Sequence, residues 1–130
     1  MFRYLLSLSM TLSLTLSLTL TAAVSYGQTH VKDEAVLRMS QRAEKHVREG
    51  HCLGGRNTRG KSVFSADVDL FELLKAAEKS KPKRERNGRL KRVTDAGREI
   101  GKDGWTGKPM RTYVVISETD GQVVTMYPGK

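Results

Sequence analysis

The chain has 130 residues, a formal net charge of +9 and a single cysteine. That length suits one small domain rather than two, and one cysteine excludes an intramolecular disulfide framework. The basic balance points to phosphate, an anionic membrane surface or an acidic partner, without choosing among them.

Met1-Phe2-Arg3 precedes an uncharged run from Tyr4 to Val24 of Leu, Ser, Thr, Met and Ala. A basic residue, an apolar run and small residues before Gln28 read as a secretory signal peptide over 1–27, with cleavage after Ser25 or Gly27, the latter preferred. The run is long enough to cross a bilayer. Its many Ser and Thr, and the lack of a basic cluster behind it, favour cleavage. The expectation is a secreted or periplasmic domain over 28–130, with no stable membrane insertion after signal removal. Residues 28–33 form a polar lead-in containing His30.

From Asp33 to Arg48 apolar Val36, Met39, Ala43 and Val47 recur every three to four residues, which predicts an amphipathic helix stopped by Gly50. His46 and His51 would point about 140° apart on a continuous helix. A stop at Gly50 would leave His46 on the last turn and fold His51 back beside it from the following loop. Taken alone, His46 reads first as a cation favoured by the helix C-terminus. Residues 52–62 interleave Gly54, Gly55 and Gly60 with Arg56, Arg59 and Lys61, either a phosphate-contacting loop or a solvated connector. Cys52 beside His51 makes a metal site conceivable, but a second cysteine pair and close carboxylates are missing.

Ser65 and Asp67 offer caps for a second helix over Val68 to Lys79, with Leu70, Phe71, Leu74 and Ala77 as core. Ser80 to Gly88 reads as a charged loop and Arg89 to Val93 as a half-buried strand. Glu99 to Lys102 is expected to continue that sheet after a turn at Asp95-Ala96-Gly97, and Gly101 to Pro109 to form a long loop. Arg111 to Ser117 and Gln122 to Tyr127, around Asp120-Gly121, predict a β-hairpin. Alternation puts Val123, Thr125 and Tyr127 on one face and Val124 and Met126 on the other. The fold class expected is α+β, N-terminal helices packed on a C-terminal antiparallel β-sheet.

Lys45-His46-Val47, Gly50-His51, Gly60-Lys61-Ser62-Val63-Phe64, Ile100-Gly101-Lys102-Asp103, Thr106-Gly107-Lys108-Pro109 and the closing Gly121-Gln122-Val123-Val124-Thr125-Met126-Tyr127-Pro128 together carry a family likeness. The chain resembles the bacterial EndoU-like nucleases and the wider group of toxin endoribonucleases sharing the barnase, EndoU, colicin and RelE fold. The resemblance implies cleavage of RNA, tRNA among the candidates, without a cofactor or metal. It implies His46 and His51 as acid and base, Lys61 as the cation on the phosphorane, and Thr125 with Tyr127 positioning substrate. Ser62, Arg56, Arg59, Lys102 and Lys108 would bind it. A toxin of this kind implies a cognate immunity protein. In many EndoU relatives the two histidines stand further apart, and His51 is the preferred one because it is expected in the loop. The rival expectation is a non-enzymatic basic module that binds nucleic acid or an anionic envelope polymer.

Overall fold

The computed structural model describes residues 36–130. The signal-peptide segment 1–27, the lead-in with His30, and Asp33 and Glu34 lie outside the described residues. The elements follow as α1 (Gln41–His51), β1 (Val63–Phe64), α2 (Leu70–Ala77), β2 (Lys83–Arg84), β3 (Leu90–Asp95), β4 (Gly101–Lys102), β5 (Pro109–Met110), β6 (Thr112–Ser117) and β7 (Val123–Pro128). Two helices and two antiparallel sheets make the fold α+β, as the patterning implies.

Helix α1 begins later than its apolar spacing predicts. Ser40 caps it, its hydroxyl accepting from the Ala43 amide at 3.1 Å, and Arg48 pairs with Glu44 one turn back at 2.8 Å. Residues 36–39 are instead extended. Arg38 bridges Gln122 in parallel, donating to the Gly121 carbonyl and accepting from the Val123 amide, each at 2.9 Å. Extension buries Leu37 and leaves Val36 exposed, so the apparent helical period of Val36 and Met39 was coincidental. Tertiary pairing overrode local pattern.

Helix α2 is also shorter than predicted, because its cap is Asp69 rather than Ser65 or Asp67. The Asp69 carboxylate accepts from the amides of Phe71 at 2.9 Å and Glu72 at 3.3 Å. Starting there, the buried stripe is Leu70, Leu73, Leu74 and Ala77, while Phe71, expected in the core, faces solvent. An eight-residue helix does not stand alone in water. Packing holds it, and the Tyr113 phenol donates to the Leu73 carbonyl at 2.6 Å. Burial pushes that phenol's pKa up to about 12, so it stays a donor.

The larger sheet runs β2-β3-β6-β7 and the smaller β1-β4-β5. Two expectations fail here. Gly101 and Lys102 do not extend the sheet of β3 but pair with Phe64 and Val63 on one side and with Met110 and Pro109 on the other. The turn at Asp95, tied by the Gly97 amide to the Asp95 carboxylate at 2.7 Å, diverts the chain. A methyl added at Gly101 would stand 2.2 Å from the Val63 carbonyl oxygen, so only glycine admits this pairing. The charged segment 80–88 likewise contains β2, whose Lys83 faces Lys91 of β3.

The β6–β7 hairpin pairs Val114 with Tyr127, Val115 with Met126 and Ile116 with Thr125. Ser117 then faces Val123, leaving Val124 as an extra residue in a β-bulge. The bulge resets the alternation. Val123 joins Met126 in the core, contrary to its predicted place beside Thr125 and Tyr127. Thr125 and Tyr127 still share a face, opposite that of Met126. The core holds Val47 of α1, Phe64 of β1, Leu70 and Leu74 of α2, Ile100, and Met126 of β7. Each such side chain, fully buried, stabilises the fold by roughly 1.5–3 kcal/mol. It therefore joins both helices, both sheets and the ends of the glycine-rich loop into one body.

Candidate active site

Helix α1 does not stop at Gly50. Gly50 is not among the positive-φ glycines, and the helix runs on through His51 before Cys52 turns extended at φ −118°, ψ 148°. His51 is thus the last helical residue, and the expectation that it sits in the loop is corrected. A left-handed stop was not needed, because Cys52 leaves the helix by bridging Phe64, with the Leu53 amide on the Phe64 carbonyl at 3.0 Å. The histidines meet even so. Their ring centroids are 6.0 Å apart and the planes cross at 70°.

His51 is half-buried, and its Nδ1 lies 3.3 Å from the Ser62 carbonyl oxygen. A carbonyl only accepts, so Nδ1 carries the proton and Nε2 of the neutral ring keeps its lone pair. Burial lowers the His51 pKa. The Ser62 carbonyl opposes that shift, and the charges of Lys61 and His46 add to it. The ring is therefore an unprotonated acceptor near neutrality. Tyr127 stacks near it at 5.5 Å between centroids, tilted by 35°. Burial, reinforced by the negative charge of Glu85, raises the Tyr127 pKa and keeps its phenol a donor.

Glycines build the rest of the site. A methyl at Gly55 would come within 2.4 Å of the Arg48 carbonyl oxygen and 2.5 Å of that of Glu49. The loop thereby folds over the end of α1, and the Asn57 amide donates to the Glu49 carbonyl at 2.8 Å. The fold-back makes a cleft of about 420 Å³, lined by His46, Glu49, Arg56, Asn57, Arg59 and Lys61 with Gly50 at its floor. Glycine at 50 leaves room beside the Lys61 ammonium, 3.6 Å from where a methyl would stand. A cation there also meets the negative end of the helix dipole.

The structure gathers His46, His51, Lys61 and Tyr127, with Arg56 and Arg59 on the cleft wall. His51 and Tyr127 do not line that cleft themselves; His46 connects them to it. Ser62 is engaged at both ends, its carbonyl by His51 and its hydroxyl by the Gly104 amide at 3.2 Å, which makes it a support for His51. Thr125 shares the face of Tyr127, and its Oγ1 is buried with no hydrogen-bond partner. Lys102 is exposed on β4. Lys108 lines a separate hollow of about 590 Å³ with Asp103, Thr106 and Met110, apart from the histidine cleft. Glu49 and Asn57 are site residues that periodicity could not single out, since only the fold-back of the loop brings them in.

Burial raises the pKa of the Cys52 thiol, and the nearby Arg48 charge opposes the shift. Among the described residues no group of three His, Cys, Asp or Glu is placed to hold a metal ion, and none of the helices is long and apolar enough to cross a membrane. No protein-family model matches the chain, and a search of curated proteins finds no similar one.

Proposed function

We propose that the protein is a secreted endoribonuclease of the EndoU-like kind, an antibacterial toxin that cleaves RNA by 2′-hydroxyl attack without a metal. The observation that carries this reading is the half-buried His51, tautomer set by the Ser62 carbonyl, in contact with both His46 and Tyr127. Nε2 of His51 takes the proton of the 2′-hydroxyl, whose oxygen attacks the adjacent phosphorus. His46 returns a proton to the departing 5′-oxygen. The products are a 2′,3′-cyclic phosphate and a 5′-hydroxyl end. Lys61 steadies the charge that accumulates on the phosphorane oxygens, and the Tyr127 phenol donates a hydrogen bond to one of them. Arg56 and Arg59 hold the flanking phosphates. Such an activity calls for a cognate immunity protein in the producing cell, and tRNA is one candidate substrate.

A second reading, a non-enzymatic module holding nucleic acid or an anionic polymer, draws on the same cleft. Arg56, Arg59 and Lys61 converge there and would bind phosphate whether or not a bond breaks. The two separate in one experiment. Purified protein is incubated with total RNA in EDTA, and the fragment ends are identified. We expect cyclic phosphate ends, intact DNA, and a rate about 10²–10⁴-fold lower in His51→Ala with RNA binding little changed. Activity that vanishes with EDTA and returns with a divalent ion overturns the metal-free mechanism. Normal rates in both His46→Ala and His51→Ala leave the binding module as the better reading.

A further inference from the structure

Trp105 is the only tryptophan of the chain and stands 93% exposed. The segment that presents it is tightly tied. The Asp103 carboxylate accepts from the Trp105 amide at 2.8 Å, the Thr106 amide at 2.7 Å and the Thr106 hydroxyl at 3.1 Å. The loop is closed by the Asp103 amide on the Lys108 carbonyl and the Gly107 amide on the Asp103 carbonyl, both at 2.9 Å. The hydrogen bonds from Thr106 and Trp105 hold the Asp103 carboxyl below the usual carboxylate range, so the loop stays tied at any ordinary pH. A large apolar ring held in water by an ordered loop adds nothing to the core, and its surface is free for another molecule.

The loop is also fastened to the candidate active site. The Gly104 amide donates to the Ser62 hydroxyl, and a methyl at Gly104 would lie 2.4 Å from the Lys61 carbonyl carbon. Trp105 follows directly, so its backbone stands next to the segment that carries Lys61 and supports His51. Lys102 and Lys108 flank the same loop.

We propose that Trp105 is a stacking platform for an unpaired nucleobase of an RNA chain whose phosphates meet Lys61, Lys102 and Lys108. The adjacency to the scissile phosphate rests on the endoribonuclease reading; the stacking itself does not. Every base offers an aromatic face, and single-stranded RNA is recognised by stacking splayed bases on exposed rings while cations track the backbone. An acidic protein partner would also be drawn to the lysines. The nucleobase is favoured because the loop is bonded to the segment that carries Lys61, whose cleft also gathers Arg56 and Arg59 and so suits a phosphate backbone. Lys102 and Lys108, which lie outside the histidine cleft, thereby acquire a role along the path of the chain.

A single tryptophan reports on its own contact. The full chain is titrated with a labelled, single-stranded 2′-O-methyl oligoribonucleotide, which cannot be cleaved. Binding is followed by anisotropy of the label and by tryptophan emission, with inorganic polyphosphate as the base-free control. We expect the oligonucleotide to quench and shift the emission, and polyphosphate to leave it unchanged. Trp105→Ala should weaken oligonucleotide binding on the order of 5- to 150-fold, with Trp105→Phe restoring most of it. Oligonucleotide binding with silent emission overturns the proposal and hands the loop to a protein partner. Wild-type affinity in Trp105→Ala overturns it as well, as does failure of any oligonucleotide to bind. Quenching by the oligonucleotide in a protein that cuts no RNA leaves the stacking site standing and removes only the nuclease. Normal cleavage and KM in Trp105→Ala do the reverse.

Discussion

Gly50 tests the geometry of the site more sharply than any charged residue. If it ended the helix in a left-handed conformation, alanine there would be strained and would cost about 1 kcal/mol. In the structure Gly50 is ordinary helix, and a methyl would meet only the Lys61 ammonium, at an unstrained 3.6 Å. Alanine favours a helix interior over glycine by roughly 0.8–1 kcal/mol, less near an end. Gly50→Ala should therefore stabilise the protein by about 0.5 kcal/mol, a rise in Tm of roughly 2–4 °C for a domain of this size. The flexible end of Lys61 can adjust by a fraction of an ångström, so RNA cleavage should stay within about threefold of wild type. Thermal unfolding followed by circular dichroism reads the first quantity and initial rates the second. A loss of 1 kcal/mol or more would refute the continuous helix and with it the placement of His51.

Other expectations follow from the surrounding contacts. His51 has a folded pKa below its ordinary value, so the unfolded chain takes up that proton more readily. Stability should rise with pH through the window below about 6.5 and level off above it; urea midpoints compared at pH 5 and 7 should show a smaller difference in His51→Gln. The acid limb of kcat/KM should lie below 6.5 for the same reason, read from a pH–rate profile. Thr125→Val keeps the shape and removes an unpartnered buried hydroxyl, so denaturant unfolding should show a gain of about 1 kcal/mol. Gly104→Ala drives a methyl into the Lys61 backbone and should cost about 1–3 kcal/mol together with activity, measured by the same two assays.

The hairpin of β6 and β7 was legible because β-branched runs around Asp-Gly leave little alternative. The cluster of cationic residues was legible as types, since His46, His51, Arg56, Arg59 and Lys61 crowd one short glycine-rich stretch, and the structure does bring them close together. What failed were boundaries and partners set by non-local pairing. Residues 36–39 follow a helical period yet lie along Gln122, and Gly101 and Lys102 leave the sheet of β3 for that of Phe64. Asp69 outcompeted two nearby caps through its pair of amide contacts, and turned Phe71 outward. Glu49 and Asn57 entered the site through one close approach at Gly55, which no periodicity encodes.

The bulge at Val124 has a meaning for how this strand can change over generations. Ser117 faces Val123 and Ile116 faces Thr125, so one position between them is surplus to the pairing. A chain lacking Val124 would still send Val123 and Met126 inward and Tyr127 toward His51. A deletion further along β7 would reverse every side chain beyond it. A one-residue deletion in this strand should therefore be tolerated at that point and not beyond it, which leaves the tyrosine beside the histidines in place.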